Sequence, residues 1–282
     1  MNATNVGEPH ILVVGMDGIR HDVLLAAHTP VIDRLASNGV LLPVPVHEKN
    51  VTISGPVWAT VATGVYMDQH GVLGNEDQPI GTAGFADFAE LLRAARPELQ
   101  TMVAATWFPL VRRGGCGPLF SSGGWVPPVD PEDENSGPSW ITADDDAAAY
   151  AAARLAVEDL AVSFVYFGES DVHAHSFGTG PGYTDCIQRC DARLGLLLNA
   201  IEQRPNRAQE DWTVIVVTDH GHLDEGGHGG DSREERTAWM LASGASVPEG
   251  ITALDHADIA AHVLATFGVD HSALAGIPFG RR

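Results

Sequence analysis

Residues 218–231 read TDHGHLDEGGHGGD, with three histidines, four acids and five glycines in direct continuation of the apolar run WTVIVV. A stretch with so few apolar groups cannot repay its own ordering entropy as core. Imidazoles beside carboxylates are instead the raw material of a metal centre. The pattern recurs twice. The run ILVVGM ends in Asp17, and VSFVYFG leads into ESDVHAH, with Asp171, His173 and His175. The third run, TVIVVT, ends in Asp219 and His220, followed by His222 and His228.

In open α/β sheets ligands bind outside the carboxyl ends of the strands, so three such ends meet at one edge. A lone Asp after a strand is commonly a turn former or a cap. Three converging carboxylate ends would repel one another and raise their pKa values, and a divalent cation removes that penalty. Mixed Asp/His ligation without Cys suits zinc or manganese better than calcium or magnesium, which prefer oxygen shells. The candidates outnumber the needs of one tetrahedral ion. Two ions about 3.5–4 Å apart would use them, and such pairs serve phosphoryl transfer.

A hydrolase of that kind needs a nucleophile, and NVTISGPVWATVATG (50–64) supplies one. SGP breaks the chain and PVWATVATG reads as a helix with Pro56 in its first turn. Ser54 or Thr52 then sits just before a helix N-terminus, where amides and the dipole favour an anion. The plainer alternative for Ser54 is an N-cap.

The elements that must position these groups alternate in type. Strand candidates are residues 11–17, 99–106, 162–168, 213–219 and 238–243, mostly continuous apolar runs of the kind covered on both faces. In HTPVIDRLASNGV, Thr29 is the expected N-cap, Pro30 the first helical residue and Gly39 the stop. Tyr183, Ile187, Cys190, Leu194, Leu197 and Ile201 form one apolar stripe on a long helix, which also takes Cys186. Asp255 is expected to cap a helix carrying Ile259, Val263, Leu264 and Phe267, closed by Gly268. The expected fold is α/β, doubly wound, with a mostly parallel central sheet and helices on both faces. Residues 107–146, rich in Gly and Pro, read as a long loop or lid whose Trp107, Trp125 and Trp140 either line a pocket or pin the loop down.

The net charge of −21, from 16 basic and 37 acidic residues among 282, argues against a polymeric nucleic-acid partner. It leaves room for a small phosphate ester held by cations. The start MNATNVGEPH lacks the basic and apolar regions of a signal peptide, and no run of about 18 apolar residues spans a membrane. The expected address is the cytoplasm. Cys116, Cys186 and Cys190 are an odd count with no metal-type spacing, and Cys186 and Cys190, four apart on the expected helix, are expected as small buried apolar residues.

The ordered set MDG, TISGPVWATVATG, HGVLGN, ESDVHAH and TDHGHLDEGGHGGD resembles the type I phosphodiesterase/nucleotide pyrophosphatase branch of the alkaline phosphatase superfamily, over almost the whole chain. The resemblance implies one alkaline phosphatase-like domain over 1–282, a minimal version without a large cap domain. It implies two zinc ions, with manganese as an alternative. Asp17, Asp219, His220 and the nucleophile Ser54 would hold one ion, and Asp171, His175 and His228 the other. Asn75 of HGVLGN would donate to a phosphoryl oxygen. His173 has no family counterpart, and a supporting or substrate role is expected for it. His222 is left over as a supporting or solvent-facing residue.

The implied activity is phosphodiester or pyrophosphate hydrolysis on a small nucleotide-like substrate, through a covalent phosphoryl- or nucleotidyl-serine. A phosphomonoesterase is the alternative within the superfamily, and Arg20, Arg112 and Arg113 are the basic residues available to it. Ser-Gly-Pro-Val-Trp departs from the C/S-x-P-S-R context of sulfatases. A non-catalytic metal-binding relative is the remote alternative.

Overall fold

The computed structural model describes residues 7–76, 84–132 and 139–281. Six strands, β1 (Glu8–Met16), β2 (Gly39–Pro45), β3 (Gln100–Ala105), β4 (Leu160–Phe167), β5 (Glu210–Val217) and β6 (Thr237–Gly244), form one sheet in the order β2-β6-β5-β1-β4-β3. The pairs β3/β4, β4/β1 and β1/β5 are parallel, whereas β6 runs antiparallel to both β5 and β2. The described helices are α1 (His21–Ala26), α2 (Pro30–Ser37), α3 (Ser54–Thr63), α4 (Met67–His70), α5 (Phe88–Ala95), α6 (Trp140–Leu155), α7 (Glu169–Phe177), α8 (Pro181–Glu202), α9 (Arg233–Arg236) and α10 (Asp258–Thr266).

Alternation along the strands explains why they read as unbroken apolar runs. Ile11 and Val13 of β1 face a core with Trp58 and Val61 of α3, Phe88 of α5 and Ile259 of α10. Leu12, Val14 and Met16 face the other side, against Ile32 of α2, Ala147 of α6 and the α8 stripe. Each face of the sheet is dry, so both sets of side chains must be apolar. The fold is thus the expected α/β arrangement with a mostly parallel sheet.

Four local readings change. GVLLPVP is the edge strand β2, disguised by Pro43 and Pro45, which an edge position tolerates because the missing donor can face away from the ladder. Gly39 opens that strand instead of closing α2, whose C-cap is Asn38. Thr29 is the N-cap of α2 but its hydroxyl makes no capping bond. Asp191 of α8 accepts from Val31 N (3.2 Å) and Ile32 N (2.8 Å) in its place. Asp255 lies one turn ahead of α10, whose N-cap is Ala257; its Oδ1 accepts from Ala257 N at 3.0 Å.

Residues 107–132 follow β3 as loops around a short 3-10 turn, and α6 takes over at Trp140. Trp125 pairs its backbone with Val103 and Ala105, and its ring stacks on Tyr150. Trp107 is buried, and the Trp140 ring packs over Gly168. The three cysteines are buried and free. No described helix is long and apolar enough to cross a membrane.

Candidate active site and metal centre

Parallel β1, β4 and β5 end side by side, and each delivers polar groups beyond its last residue. Asp17 follows β1 with its Oδ2 fixed by Trp58 Nε1 of α3 (2.9 Å) and by the Tyr166 hydroxyl of β4. Its Oδ1 is buried without a hydrogen-bond partner. Asp219 follows β5. Gly18 N donates to its Oδ1 at 3.0 Å, and its Oδ2 is likewise buried and unpartnered. His220 donates from Nδ1 to Gly221 O (3.0 Å), so the neutral ring presents a lone pair on Nε2. That atom lies 3.1 Å from Asp219 Oδ2, 3.8 Å from Asp17 Oδ1 and 3.3 Å from Ser54 Oγ. The first expected ligand group therefore assembles around the serine.

The second group is built from α7 and the loop after β5. Asp171 and His175 lie one helical turn apart, Oδ2 to Nε2 3.5 Å. His228 returns to them, with Nε2 2.9 Å from His175 Nε2 and 3.4 Å from Asp171 Oδ1. Its Nδ1 donates to Thr52 O at 2.7 Å, which again leaves Nε2 as the lone-pair atom. The return depends on Gly226 (φ +94°), where a Cβ would meet Ala174 O at 2.1 Å.

His222 takes the supporting one of its two expected places. It is fully buried, not solvent-facing, with Nε2 2.9 Å from Asp171 Oδ1 and Nδ1 without a partner. Gly18, at φ +64°, makes room for it, since a Cβ there would stand 2.6 Å from His222 Nε2. At these strand ends possible ligand atoms lie within 4.8 Å of one another in two groups, Asp17, Asp219 and His220, and Asp171, His220, His222 and His228. His220 belongs to both, and the more exposed His175 stands at the rim. His173 packs on Phe177 and beside Gly182, with no hydrogen bond to these groups.

Ser54 is the first residue of α3 and Ile53 its N-cap, so Ser54 is not the cap. Thr52, the other candidate nucleophile, is committed: its hydroxyl donates to Gly230 O (2.7 Å) and accepts from Gly229 N (3.1 Å). Asn75 accepts from Gly55 N on Oδ1 at 2.7 Å, which directs its amide hydrogens to another acceptor beside Ser54. Arg20 does not face this space. Its guanidinium bonds Asp22, Asp224 and His222 O, tying the end of β1 to the ligand loop. Arg112 and Arg113 are exposed, with Arg112 over the Phe108 ring. Trp58, Tyr166 and Arg20 carry no pattern that marks them as supporting residues; only the tertiary contacts do.

The electrostatics ask for cations. Burial, then Asp219 and Asp171, push the Asp17 carboxyl far above the usual range, against the opposing Tyr166 and Trp58 hydrogen bonds. Burial lifts Asp219 to about 7. For Asp171 burial acts upward but is outweighed by the His222 hydrogen bond and the neighbouring imidazoles, so its carboxyl is held below the ordinary range. Burial keeps His220 and His228 neutral, pushing both below the usual imidazole value. Among the described residues no Lys or Arg pairs with Asp17, Asp171 or Asp219. Neutral imidazoles, crowded carboxylates and two orphaned oxygens are the donor set that divalent ions satisfy.

The similarity of the chain to known proteins agrees with this geometry. Residues 11–229 match the family model described as Type I phosphodiesterase / nucleotide pyrophosphatase. An uncharacterized pyrophosphatase/phosphodiesterase of Schizosaccharomyces pombe is 23% identical over 237 residues, covering 78% of this chain and 46% of that protein. Human ectonucleotide pyrophosphatase/phosphodiesterase family member 7 is 25% identical over 224 residues, 75% of this chain and 47% of its own length. The chain thus spans about half the length of these curated relatives. Among solved structures, murine ectonucleotide pyrophosphatase/phosphodiesterase 5 superposes with TM-score 0.70 at 17% identity, covering 95% of this chain and 97% of that one. A 2-O GAG sulfatase, BT1596, superposes at TM-score 0.74 and 14% identity, over 96% of this chain and 73% of that one. Those two likenesses concern the fold alone, whereas the family model covers the strand ends that carry Asp17, Asp171, Asp219 and His228: this chain belongs to the type I phosphodiesterase/nucleotide pyrophosphatase family.

Proposed function

We propose that this chain hydrolyses phosphodiester or pyrophosphate bonds of a small nucleotide-like substrate, with Ser54 as nucleophile. The observation that carries the reading is the Ser54 hydroxyl, buried at the first turn of α3 and 3.3 Å from His220 Nε2, beside two unpartnered carboxylate oxygens. Asp17, Asp219, His220 and Ser54 would hold one divalent ion, and Asp171, His228 and His175 the other, with His222 next to Asp171. Zinc fits this mixed nitrogen and oxygen set, and manganese is the alternative. When bound, the ions lower the pKa of the serine hydroxyl and offset charge on the phosphoryl oxygens.

The residues of the chain then divide the work. Ser54 Oγ loses its proton and attacks phosphorus in line, forming an Oγ–P bond as the bond to the leaving oxygen breaks. The amides at the start of α3 and the Asn75 side-chain amide donate to equatorial phosphoryl oxygens. Water then attacks the phosphoserine from the side the leaving group vacated, and Ser54 departs with a proton. Two inversions give net retention at phosphorus.

Diesters are favoured over monoesters by a specific feature. A terminal dianion calls for an added cation held at the site, whereas Arg20 is paired with Asp22 and Asp224, and Arg112 (over the Phe108 ring) and Arg113 are exposed. The nucleotide-like substrate rests on the murine relative, an inactive form of which was solved with AMP.

The test compares turnover of p-nitrophenyl phosphate and bis(p-nitrophenyl) phosphate with bound-metal content, for wild type and Ser54→Ala. The expected result is about two ions per chain, a preference for the bis-ester, and loss of turnover by orders of magnitude in the variant. Full activity in Ser54→Ala would sink the nucleophile assignment.

A further inference from the structure

The opposite end of the sheet carries a second convergence of metal-type donors. Glu8 and His10 lie two apart on β1, so their side chains share one face. Asp159 immediately precedes β4, the parallel neighbour of β1. Ligand atoms of Glu8, His10 and Asp159 fall within 4.8 Å of one another. All three line a cavity of about 250 Å³, together with Arg96, Gln100 and Thr266.

His10 is what separates this group from a chance meeting of exposed acids. It is 2% exposed, and its ring stacks on Trp212 with centroids 4.8 Å apart. Nδ1 donates to Leu160 O at 3.0 Å, so Nε2 is the ring atom left to face the cavity. Among the described residues Nε2 has no hydrogen-bond partner; Asp159 Oδ1 stands 4.0 Å away, beyond hydrogen-bond reach. A first-row divalent ion holds its ligands at roughly 2.0–2.2 Å, so one ion bridges two donors at that separation. A backbone carbonyl that fixes the tautomer is also how protein imidazoles are oriented toward metals.

The local charge agrees. Neither Glu8 nor Asp159 pairs with a Lys or Arg among the described residues, while Arg96 is answered by Glu98 (2.5 Å) and Phe267 O (3.3 Å). We propose that Glu8, His10 and Asp159 bind one divalent transition-metal ion that staples the starts of β1 and β4. One imidazole and two carboxylates select a first-row ion over calcium or magnesium. β1 separates this site from Asp17 by its whole length, so the proposal does not rest on the catalytic reading.

The test is a Mn²⁺ titration of chelator-stripped full-length protein, with free Mn²⁺ read by electron paramagnetic resonance. Wild type, His10→Gln and the surface variant Asp159→Asn are compared, the last guarding against a folding defect in the first. One class of sites is expected to weaken by roughly tenfold or more in Asp159→Asn and to vanish in His10→Gln, with bis(p-nitrophenyl) phosphate turnover unchanged. The comparison is a difference between isotherms, so it holds whatever number of ions the carboxyl-end group binds. Superimposable isotherms for the three proteins would overturn the proposal.

Discussion

Glu169 and Asp171 stand two residues apart in the first turn of α7, yet they belong to opposite electrostatic regimes. Glu169 joins a closed network: it pairs with Arg189 and, at 2.7 Å, with Arg193, which also reaches Asp144 (3.4 Å) and Asp145 (2.8 Å). Asp144 in turn accepts from Gly168 N, Glu169 N and the Thr106 hydroxyl, capping α7 from another helix. Burial pushes Asp144 up to about 6 against the opposing pull of Arg193, and the arginines outweigh burial to hold Glu169 below its ordinary value. Asp171 faces the other way, into imidazoles and two further carboxylates with no arginine among the described residues. The first cluster carries its own countercharge and is finished by folding. The second is finished only by what binds there, which is how a functional centre differs from a structural ion-pair network built of the same residue types.

The contrast can be broken most severely at Asp219. Asp219→Asn keeps the acceptor for Gly18 N but removes an anionic ligand, and turnover is expected to fall by orders of magnitude. The same variant is expected to raise the melting temperature of the chelated protein by a few degrees, about what 1 kcal/mol is worth at this size. A lowered melting temperature would show that the carboxylates are not in conflict. In the finished cluster the sign reverses. Arg193→Met leaves Asp144 buried without its cation and Glu169 with Arg189 alone, and denaturant unfolding should show a loss of about 3–5 kcal/mol. Chelation should leave that loss unchanged.

Arg20 links the regimes, being a buried guanidinium that serves the open cluster without entering it. Arg20→Met should lower kcat for the bis-ester by roughly tenfold while sparing KM, because it loosens the ligand loop and not the substrate; Arg20→Lys should restore part of it. A change confined to KM would place Arg20 at the substrate instead.

The smallest effect concerns neutral buried imidazoles outside both clusters. Burial lowers His70 and His262 to about 4. Between that value and the ordinary one near 6.5 the unfolded chain binds the protons first. The stability they contribute is therefore whole above about pH 6.5 and is lost as pH falls toward about 4. His262→Asn should flatten the decline of melting temperature across that window, and an unchanged slope would assign the decline to other groups.

Much of this was readable in one dimension, for a physical reason. Strands buried on both faces announce themselves as apolar runs, and polar residues directly after such runs must lie at a sheet edge. Hence Asp17, Asp171, Asp219 and His220, and the long α8 stripe, stand where their spacing placed them. His228 is assigned to the second group through the family resemblance, and Gly226 at φ +94° is what lets the chain return there. Other features had no such signature. The edge strand β2 hides behind two prolines. Trp58 and Tyr166 read as core until their polar atoms meet Asp17. Asp191 caps α2 from 159 residues away, which no local pattern contains.

The sequence by itself determined the alternation of elements, the set of candidate ligands and the serine at a helix start, because periodicity and composition are local properties. Tertiary structure decided the pairing: which carboxylate meets an arginine and which meets an imidazole. It buried His222 against Asp171, turned Arg20 from a candidate anion binder into a clamp, and committed Thr52 so that Ser54 alone of the two faces His220. Those outcomes depend on which chain segments share a sheet edge, and long-range packing, not spacing, sets that.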